Sequence, residues 1–371
     1  MTATDRAVTA EDAAPGMDLA PGRTESDDQE ARVVLGVEGI EKSYVTSRNL
    51  LGRATGRFHA VQDVDLVVRR GETVAVVGES GAGKSTLGRI ALRLIDPDKG
   101  RVVFDDIDLT ECSRKELRSL RARMRMIFQD PYSSLDPTMT VGDAVAEPLL
   151  VHTDLSRDER RERVLELVRR VGMDVHHLDR YPYEFSGGQL QRIAIARAIA
   201  TGPDLIVCDE PVAALDTSIR AQVVNLLADL QEERGVAYLF ITHDLSLVRL
   251  IADRVVVMYR GRVVEAAPTA ELFECPRHPY TRALLAAVPT PDTSRRRARS
   301  SPLPLSNQEV GTSGCAFASR CAHREDRCTQ VVPELVPDGR HEVRCLLGGN
   351  RGLAELPATV PLGEPMTASQ V

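Results

Sequence analysis

The sequence predicts an α/β fold, a parallel β-sheet covered by helices, and three observations carry that expectation. Between residues 33 and 288 short β-branched runs alternate with amphipathic helical patterns, the alternation from which helix-covered parallel sheets are built. The runs at 73–77, 126–128, 205–208 and 238–242 are apolar throughout rather than at every second residue, as strands buried on both faces are. The first of these runs leads directly into a glycine-rich loop and then a helical pattern at 85–94.

Composition bounds what this fold can do. The 371 residues amount to two or three domain equivalents, with 43% hydrophobic and 27% charged residues, ordinary for a globular protein with a large core. Forty-seven basic residues stand against 54 acidic ones, Trp is absent and aromatics make up 4%. That excludes the basic, aromatic-lined surface of a general nucleic-acid binder, so no nucleic-acid partner is expected. The lysines are Lys42, Lys84, Lys99 and Lys115, all other positive charge being Arg. No stretch approaches the roughly 18 apolar residues that span a bilayer, and the first 30 residues carry no apolar core of a signal peptide. A cytosolic location follows as an expectation, in which seven cysteines are thiols or metal ligands before they are disulfides.

Taken in order, residues 1–32 are rich in Ala, Thr, Asp, Glu, Pro and Gly without period and read as a disordered acidic tail. Residues 33–288 form the α/β domain, with a helical subdomain expected at about 130–190. There Arg157–Arg170 places Val164, Leu165, Leu167, Val168 and Val171 at helical spacing, its charges forming a solvated face. Residues 289–313, rich in Pro, Ser, Thr and Arg, read as a linker. A small Cys-containing appendage at 314–347 and a flexible tail at 348–371 complete the chain. No internal repeat of 20 to 50 residues is visible.

The loop Gly78, Glu79, Ser80, Gly81, Ala82, Gly83, Lys84, Ser85, Thr86 fits G-x-x-x-x-G-K-S/T between a strand and a helix, where the motif must sit. Glycines let the backbone N–H groups wrap a polyphosphate, Lys84 reaches the β and γ phosphates, and Ser85 offers an oxygen to Mg²⁺. The run 205–208 ends in Asp209 and Glu210. An apolar strand ending in two carboxylates is unremarkable alone. After a phosphate loop it supplies one group for Mg²⁺ and one to polarise the attacking water. Ser186, Gly187, Gly188 and Gln189 open another helix with free N–H groups, Gln129 stands at the end of the 126–128 run, and the 238–242 run leads into His243 and Asp244.

Five such motifs in this order resemble the ATP-binding subunits of ABC transporters over about 33–288. The resemblance implies the P-loop NTPase fold of an ABC nucleotide-binding domain, with ATP and Mg²⁺ bound. Ser186–Gln189 would be the signature that meets the γ phosphate held by an opposed subunit, so that hydrolysis needs a head-to-tail dimer. Gln129 would link Mg²⁺ and water to the helical subdomain, Asp216 would be the D-loop residue, His243 the switch histidine and Tyr44 the ring stacked on adenine. Two departures are visible, Ala213 where Ser is common and Leu190 where Arg is common, and neither removes a catalytic group.

Three stretches, 128–137, 180–186 and 276–289, are similar to the oligopeptide and dipeptide importer branch, and the insert at 45–59 is similar to the second of its two ATPase subunits. This implies a sister ATPase as a heterodimer partner, two membrane permease subunits, an extracytoplasmic substrate-binding protein, and a place on the cytoplasmic face of the membrane. A non-transport ABC ATPase such as a carbon–phosphorus lyase subunit, or an importer of the same branch for nickel chelates or glycosides, is the alternative. Cys315, Cys321, Cys328 and Cys345 match that branch's terminal pattern, which implies a 4Fe-4S cluster in some members. By chemistry alone four thiolates suit Fe–S or Zn²⁺. The spacing C-x₅-C-x₆-C-x₁₆-C lacks the short knuckle of structural zinc, so cluster, zinc and free thiols all stay open. Cys112, Cys208 and Cys275 read as structural.

Overall fold

The structure is a computed structural model that describes residues 32–49, 54–213, 215–287 and 314–347. The expected acidic tail (apart from Arg32), the linker at 289–313 and the tail at 348–371 lie outside the described residues, as does Ala214.

Among the described residues, two sheets organise the chain. A four-stranded antiparallel sheet has the order β2-β1-β4-β5, from β1 (Val33–Arg48), β2 (Ala54–Arg69), β4 (Lys99–Phe104) and β5 (Ile107–Asp108). The main sheet has eight strands in the order β11-β12-β10-β9-β3-β8-β7-β6. Its centre is parallel: β6 (Met124–Ile127), β7 (Leu205–Asp209), β8 (Ala237–Ile241), β3 (Thr73–Val77) and β9 (Arg254–Tyr259). All residues of β3, β7 and β8 are buried, which is why their sequences read as unbroken apolar runs. β10 (Arg262–Pro268) turns back antiparallel on β9 and pairs with β12 (His341–Val343), which pairs with β11 (Val336–Asp338). The Cys-containing segment therefore extends the same sheet that carries the phosphate loop.

Helix α1 (Lys84–Ala91) packs in one core with residues of both sheets, among them Val37, Val76 and Val207. It ends three residues earlier than the spacing predicts. Arg93 turns to φ 53° and the N–H groups of Arg93 and Leu94 bond back to Ile90 and Arg89, a left-handed helix stop that residue type alone does not announce. α2 (Arg114–Leu120) and the short α3 (Pro131–Ser134) follow. The helical subdomain comprises α4 (Val141–His152), α5 (Arg157–Arg170) and α6 (Gly187–Ile199). Ser156 and Glu159 form a reciprocal capping box at the start of α5, and Val164, Leu167, Val168 and Val171 enter a core shared with α6 and β7. α7 (Thr217–Arg234) ends at Gly235 in the left-handed conformation, and α8 (Leu245–Ile251) starts at Asp244.

A third core lies on β3, β9 and β10, where Ala75, Val77, Val257 and Tyr259 meet Leu272, Tyr280 and Phe317. Those last residues come from α9 (Thr269–Glu274), α10 (Pro279–Ala286) and the segment that continues to α11 (Arg327–Gln330). No helix among the described residues is long and apolar enough to cross a membrane.

Candidate active site

The order β6-β7-β8-β3 sets four loops side by side at the carboxyl edge of the parallel strands, where ligands of open α/β sheets are held. The phosphate loop follows β3, Asp209 and Glu210 end β7, His243 follows β8, and Gln129 follows β6.

Backbone geometry explains the glycines. Gly78, Gly81 and Gly83 adopt φ of 149°, 81° and 99°, a region closed to most side chains. A Cβ on Gly78 would stand 2.1 Å from the Met258 carbonyl oxygen, and one on Gly83 would stand 2.0 Å from that of Ala60. The loop is threaded between two main-chain walls. Gly83 caps α1 without a side-chain bond, leaving first-turn N–H groups for an anionic ligand. Lys84, 6% exposed, donates to the carbonyls of Gly78 at 2.8 Å and Glu79 at 2.9 Å. Burial pushes its ammonium below the ordinary lysine range, opposed by the charges of Glu210, Asp209 and Glu79. Ser80, Ala82 and Thr86 are carried in the same turn and first helical residues.

The Ser85 hydroxyl donates to Asp209 Oδ1 at 2.8 Å. Burial pushes the Asp209 carboxyl up, while the Ser85 bond and the charges of Arg89 and Lys84 pull it down. A hydroxyl and a nearly buried carboxylate in contact are hard oxygen donors, fitting Mg²⁺ with Gln129 as a further oxygen. Arg89, one turn beyond Ser85, carries no sequence signal that marks it for this role.

Glu210 has φ 48°, strained for a residue with a Cβ, and its N–H still bonds to Ile241 at 2.9 Å. Its carboxylate lies between two partners. Gln129 Nε2 donates to Oε2 at 3.0 Å and His243 Nδ1 lies 3.0 Å from Oε1. The structure thus brings Glu79, Lys84, Ser85, Asp209, Glu210, Gln129 and His243 into one linked network.

The other expected residues stand apart from it. Ser186 caps α6, its hydroxyl accepting from the Gln189 N–H while Gln189 Oε1 accepts from the Ser186 N–H. Gly187 and Gly188 form the first turn, and no bond among the described residues joins this turn to the phosphate loop. Leu190, the departure noted above, is fully buried. Asp216 is exposed at the start of α7, with Arg220 N–H bonded to its carbonyl. Tyr44, 40% exposed, lies opposite Phe58 across β1 and β2, with the Lys42 ammonium 5.9 Å from its ring centre.

Cys315, Cys321, Cys328 and Cys345 line one pocket of about 10 Å³ together with His278, Phe317 and Leu346. Burial pushes the thiols of Cys315 and Cys321 up, the latter to about 11. The thiols converge, yet among the described residues no three His, Cys, Asp or Glu side chains are arranged to hold a metal ion. As it stands, a pocket of this size does not fit a cluster. Of the three remaining cysteines, Cys208 is buried and Cys112 half-buried, whereas Cys275 is exposed at the end of α9. Tyr280, inside the stretch 276–289, and Arg320, next to Cys321, touch the phosphate loop. Glu79 N–H donates to the Tyr280 hydroxyl at 2.9 Å, and Arg320 pairs with the Glu79 carboxylate.

The family described as "ABC transporter" matches residues 61–213, and "Oligopeptide/dipeptide transporter, C-terminal region" matches residues 264–328. The chain is 49% identical over 313 residues to a probable peptide ABC transporter ATP-binding protein, y4tS, of Sinorhizobium fredii, covering 83% of this chain and 88% of that one. It is 47% identical over 291 residues to the dipeptide transport ATP-binding protein DppF of Escherichia coli, covering 77% and 86%. Among solved structures it is similar to the ATP-binding cassette MJ0796 as a post-hydrolysis dimer bound to ADP and Pi, with TM-score 0.59 and 31% identity over 63% of this chain and 98% of that one.

Proposed function

The chain belongs to the ATP-binding subunits of ABC transporters, in the oligopeptide/dipeptide branch, and from that premise we propose that it is the ATP-hydrolysing motor of a peptide importer. The observation that carries the chemistry is the Glu210 carboxylate, fixed by Gln129 and His243 at the ends of three adjacent strands. A carboxylate held this way can accept a proton from water as the oxygen attacks the γ phosphorus, with His243 orienting it and Gln129 reporting to the helical subdomain. Lys84 and the loop N–H groups stabilise the charge that develops on the phosphoryl oxygens. Ser85, Asp209 and Gln129 would hold Mg²⁺, which would supply positive charge to offset that of the phosphate oxygens.

ABC ATPases work as dimers on membrane permeases. The finer reading is a heterodimer with a sister ATPase on the cytoplasmic face, two permease subunits and an extracytoplasmic substrate-binding protein. In it Ser186–Gln189 close on the γ phosphate of the opposed subunit, Asp216 lies at the dimer seam and Tyr44 stacks on adenine. The match at residues 264–328 favours this over a carbon–phosphorus lyase subunit, and the peptide-transport relatives favour it over a nickel-chelate or glycoside importer of the same branch. Glu210→Gln is expected to bind ATP, to accumulate closed dimer and to lose about 10²–10⁴ in turnover, the range for removing a general base. Wild-type ATPase activity of that variant with its partner subunit would overturn the role of Glu210.

The convergent thiols support a separate reading, a 4Fe-4S cluster on Cys315, Cys321, Cys328 and Cys345 once the pocket rearranges around it. Anaerobic purification with iron and sulfide assays tests it. Colourless protein with stoichiometric zinc, or with four free thiols, overturns it.

A further inference from the structure

We propose that the Cys-containing segment together with α10 is a positioning clamp on the phosphate loop, with Arg320 and Tyr280 as positioning residues for ATP binding. The contact converges on Glu79, the second residue of the loop. Arg320 and Glu79 form a fork-to-fork pair, Nη1 to Oε2 at 2.9 Å and Nη2 to Oε1 at 2.9 Å. This is the bidentate geometry in which guanidinium and carboxylate fix each other's orientation. The Glu79 N–H donates to the Tyr280 hydroxyl at 2.9 Å, and the Glu79 carbonyl accepts from Lys84 Nζ at 2.9 Å. One residue is thus held at its amide, its carbonyl and its side chain, and the carbonyl bond leads straight to the lysine that binds phosphate.

The clamp is itself rigidly mounted. Tyr280 is fully buried, and the Arg320 side chain is 11% exposed. The Arg320 guanidinium lies 5.8 Å from the ring centres of both Tyr259 and Phe317, within the range of cation–π attraction. Tyr259, Tyr280 and Phe317 form a mutual aromatic cluster with centroids 4.6 to 5.5 Å apart. Phe317 also lines the pocket of the four thiols. The packing path from that pocket to the phosphate loop therefore runs through one ring and one guanidinium. Electrostatics gives the clamp a second task. Glu79 puts a negative charge in the loop meant for a triphosphate, and Arg320 neutralises it.

The proposal rests on the reading of this loop as an ATP site, and the experiment separates the two. ATP binding to the full chain is measured by calorimetric titration for Arg320→Ala, Glu79→Gln, the double variant and Arg320→Lys, with Lys84→Ala as reference. Arg320→Ala is expected to weaken ATP on the order of tenfold, from a charged hydrogen-bond pair lost and a carboxylate left facing phosphate. In the Glu79→Gln background the same change should cost less than about twofold, because no orphaned charge remains. Arg320→Lys, which keeps the charge without the fork, should fall between wild type and Arg320→Ala. Rescue by Glu79→Gln separates positioning from simple unfolding of the segment, since unfolding would not be reversed by it. Unchanged affinity in Arg320→Ala, or equal losses in both backgrounds, overturns the clamp. Retained ATP binding in Lys84→Ala overturns the ATP reading of the loop instead.

Discussion

Replacing Glu265 by Ala would remove the buried acceptor on which three donors converge. Glu265 is fully buried on β10. It accepts from the Arg277 N–H at 2.6 Å, the His278 N–H at 2.9 Å and His341 Nε2 at 2.7 Å. Burial pushes its carboxyl up, but hydrogen bonds, that of His341 foremost, outweigh this and leave it below the usual range. The three donors come from the loop before α10 and from β12, so this one carboxylate ties the C-terminal segment to the sheet. Each donor left unpaired in a dry site costs about 1–3 kcal/mol. With local relaxation the loss should resemble that of breaking a buried ion pair, about 3–5 kcal/mol. That is a large part of the 5–15 kcal/mol typical of a folded domain. The assay is urea unfolding of the full chain at pH 7, with Glu265→Gln beside it. Gln retains a carbonyl acceptor for a main-chain donor, so it should cost about 1–3 kcal/mol. A loss under about 1 kcal/mol for Glu265→Ala, or equal losses for Ala and Gln, would refute the argument.

The pH dependence of stability should carry a signature of His278, which burial pushes down from 6.5 to about 4. The unfolded chain takes up this proton near pH 6.5 and the folded chain only near 4, so the contribution is complete above 6.5 and lost as pH falls towards 4. The shift corresponds to roughly 3 kcal/mol. His278→Asn keeps an acceptor for the Tyr280 N–H, which bonds to His278 Nδ1, and should flatten the fall between pH 7 and 4.5; parallel unfolding curves would contradict this. In the phosphate loop, Gly83→Ala meets the Ala60 carbonyl at 2.0 Å, whereas a Cβ on Gly81 has nothing within 4 Å and suffers only its φ of 81°. ATP titration should show Gly83→Ala the weaker binder by on the order of tenfold or more, and the reverse order would show that the loop is not confined as described.

The central strands and the catalytic loops were legible because their signals are local. The unbroken apolar runs of β3, β7 and β8 report burial on both faces, and the loop sequence 78–86 sits directly between its strand and its helix. Neighbourhood was not legible. Gln129, Glu210 and His243 are separated by 81 and 33 residues, and only the strand order β6-β7-β8 makes them touch. The end of α1 is misplaced by three residues in the sequence reading because Arg93 adopts a left-handed φ, which its residue type does not announce. The roles of Tyr280 and Arg320 were illegible for a related reason. Glu79 lies 201 and 241 residues away from them, and nothing in a glycine-rich loop says which residue will meet it from outside.

That long reach bears on how the loop is held before nucleotide arrives. Lys84 is buried and its ammonium bonds two main-chain carbonyls, which take two of its three protons without supplying a full counter-charge. Burial accordingly disfavours its charged form, and a triphosphate would restore what burial removes. A loop in this condition is poised to close on phosphate, and equally able to collapse around its own lysine. The Glu79 peptide decides between the two, since its carbonyl holds Lys84 while its N–H and carboxylate are held by Tyr280 and Arg320. Fixing that peptide from the outside keeps Lys84 in register with Ser85, one residue on, whose hydroxyl is already bonded to Asp209. The segment that extends the sheet at β12 therefore acts at the phosphates without contributing a catalytic group, and a change in packing around Phe317 has a direct mechanical route to Lys84 through two side chains.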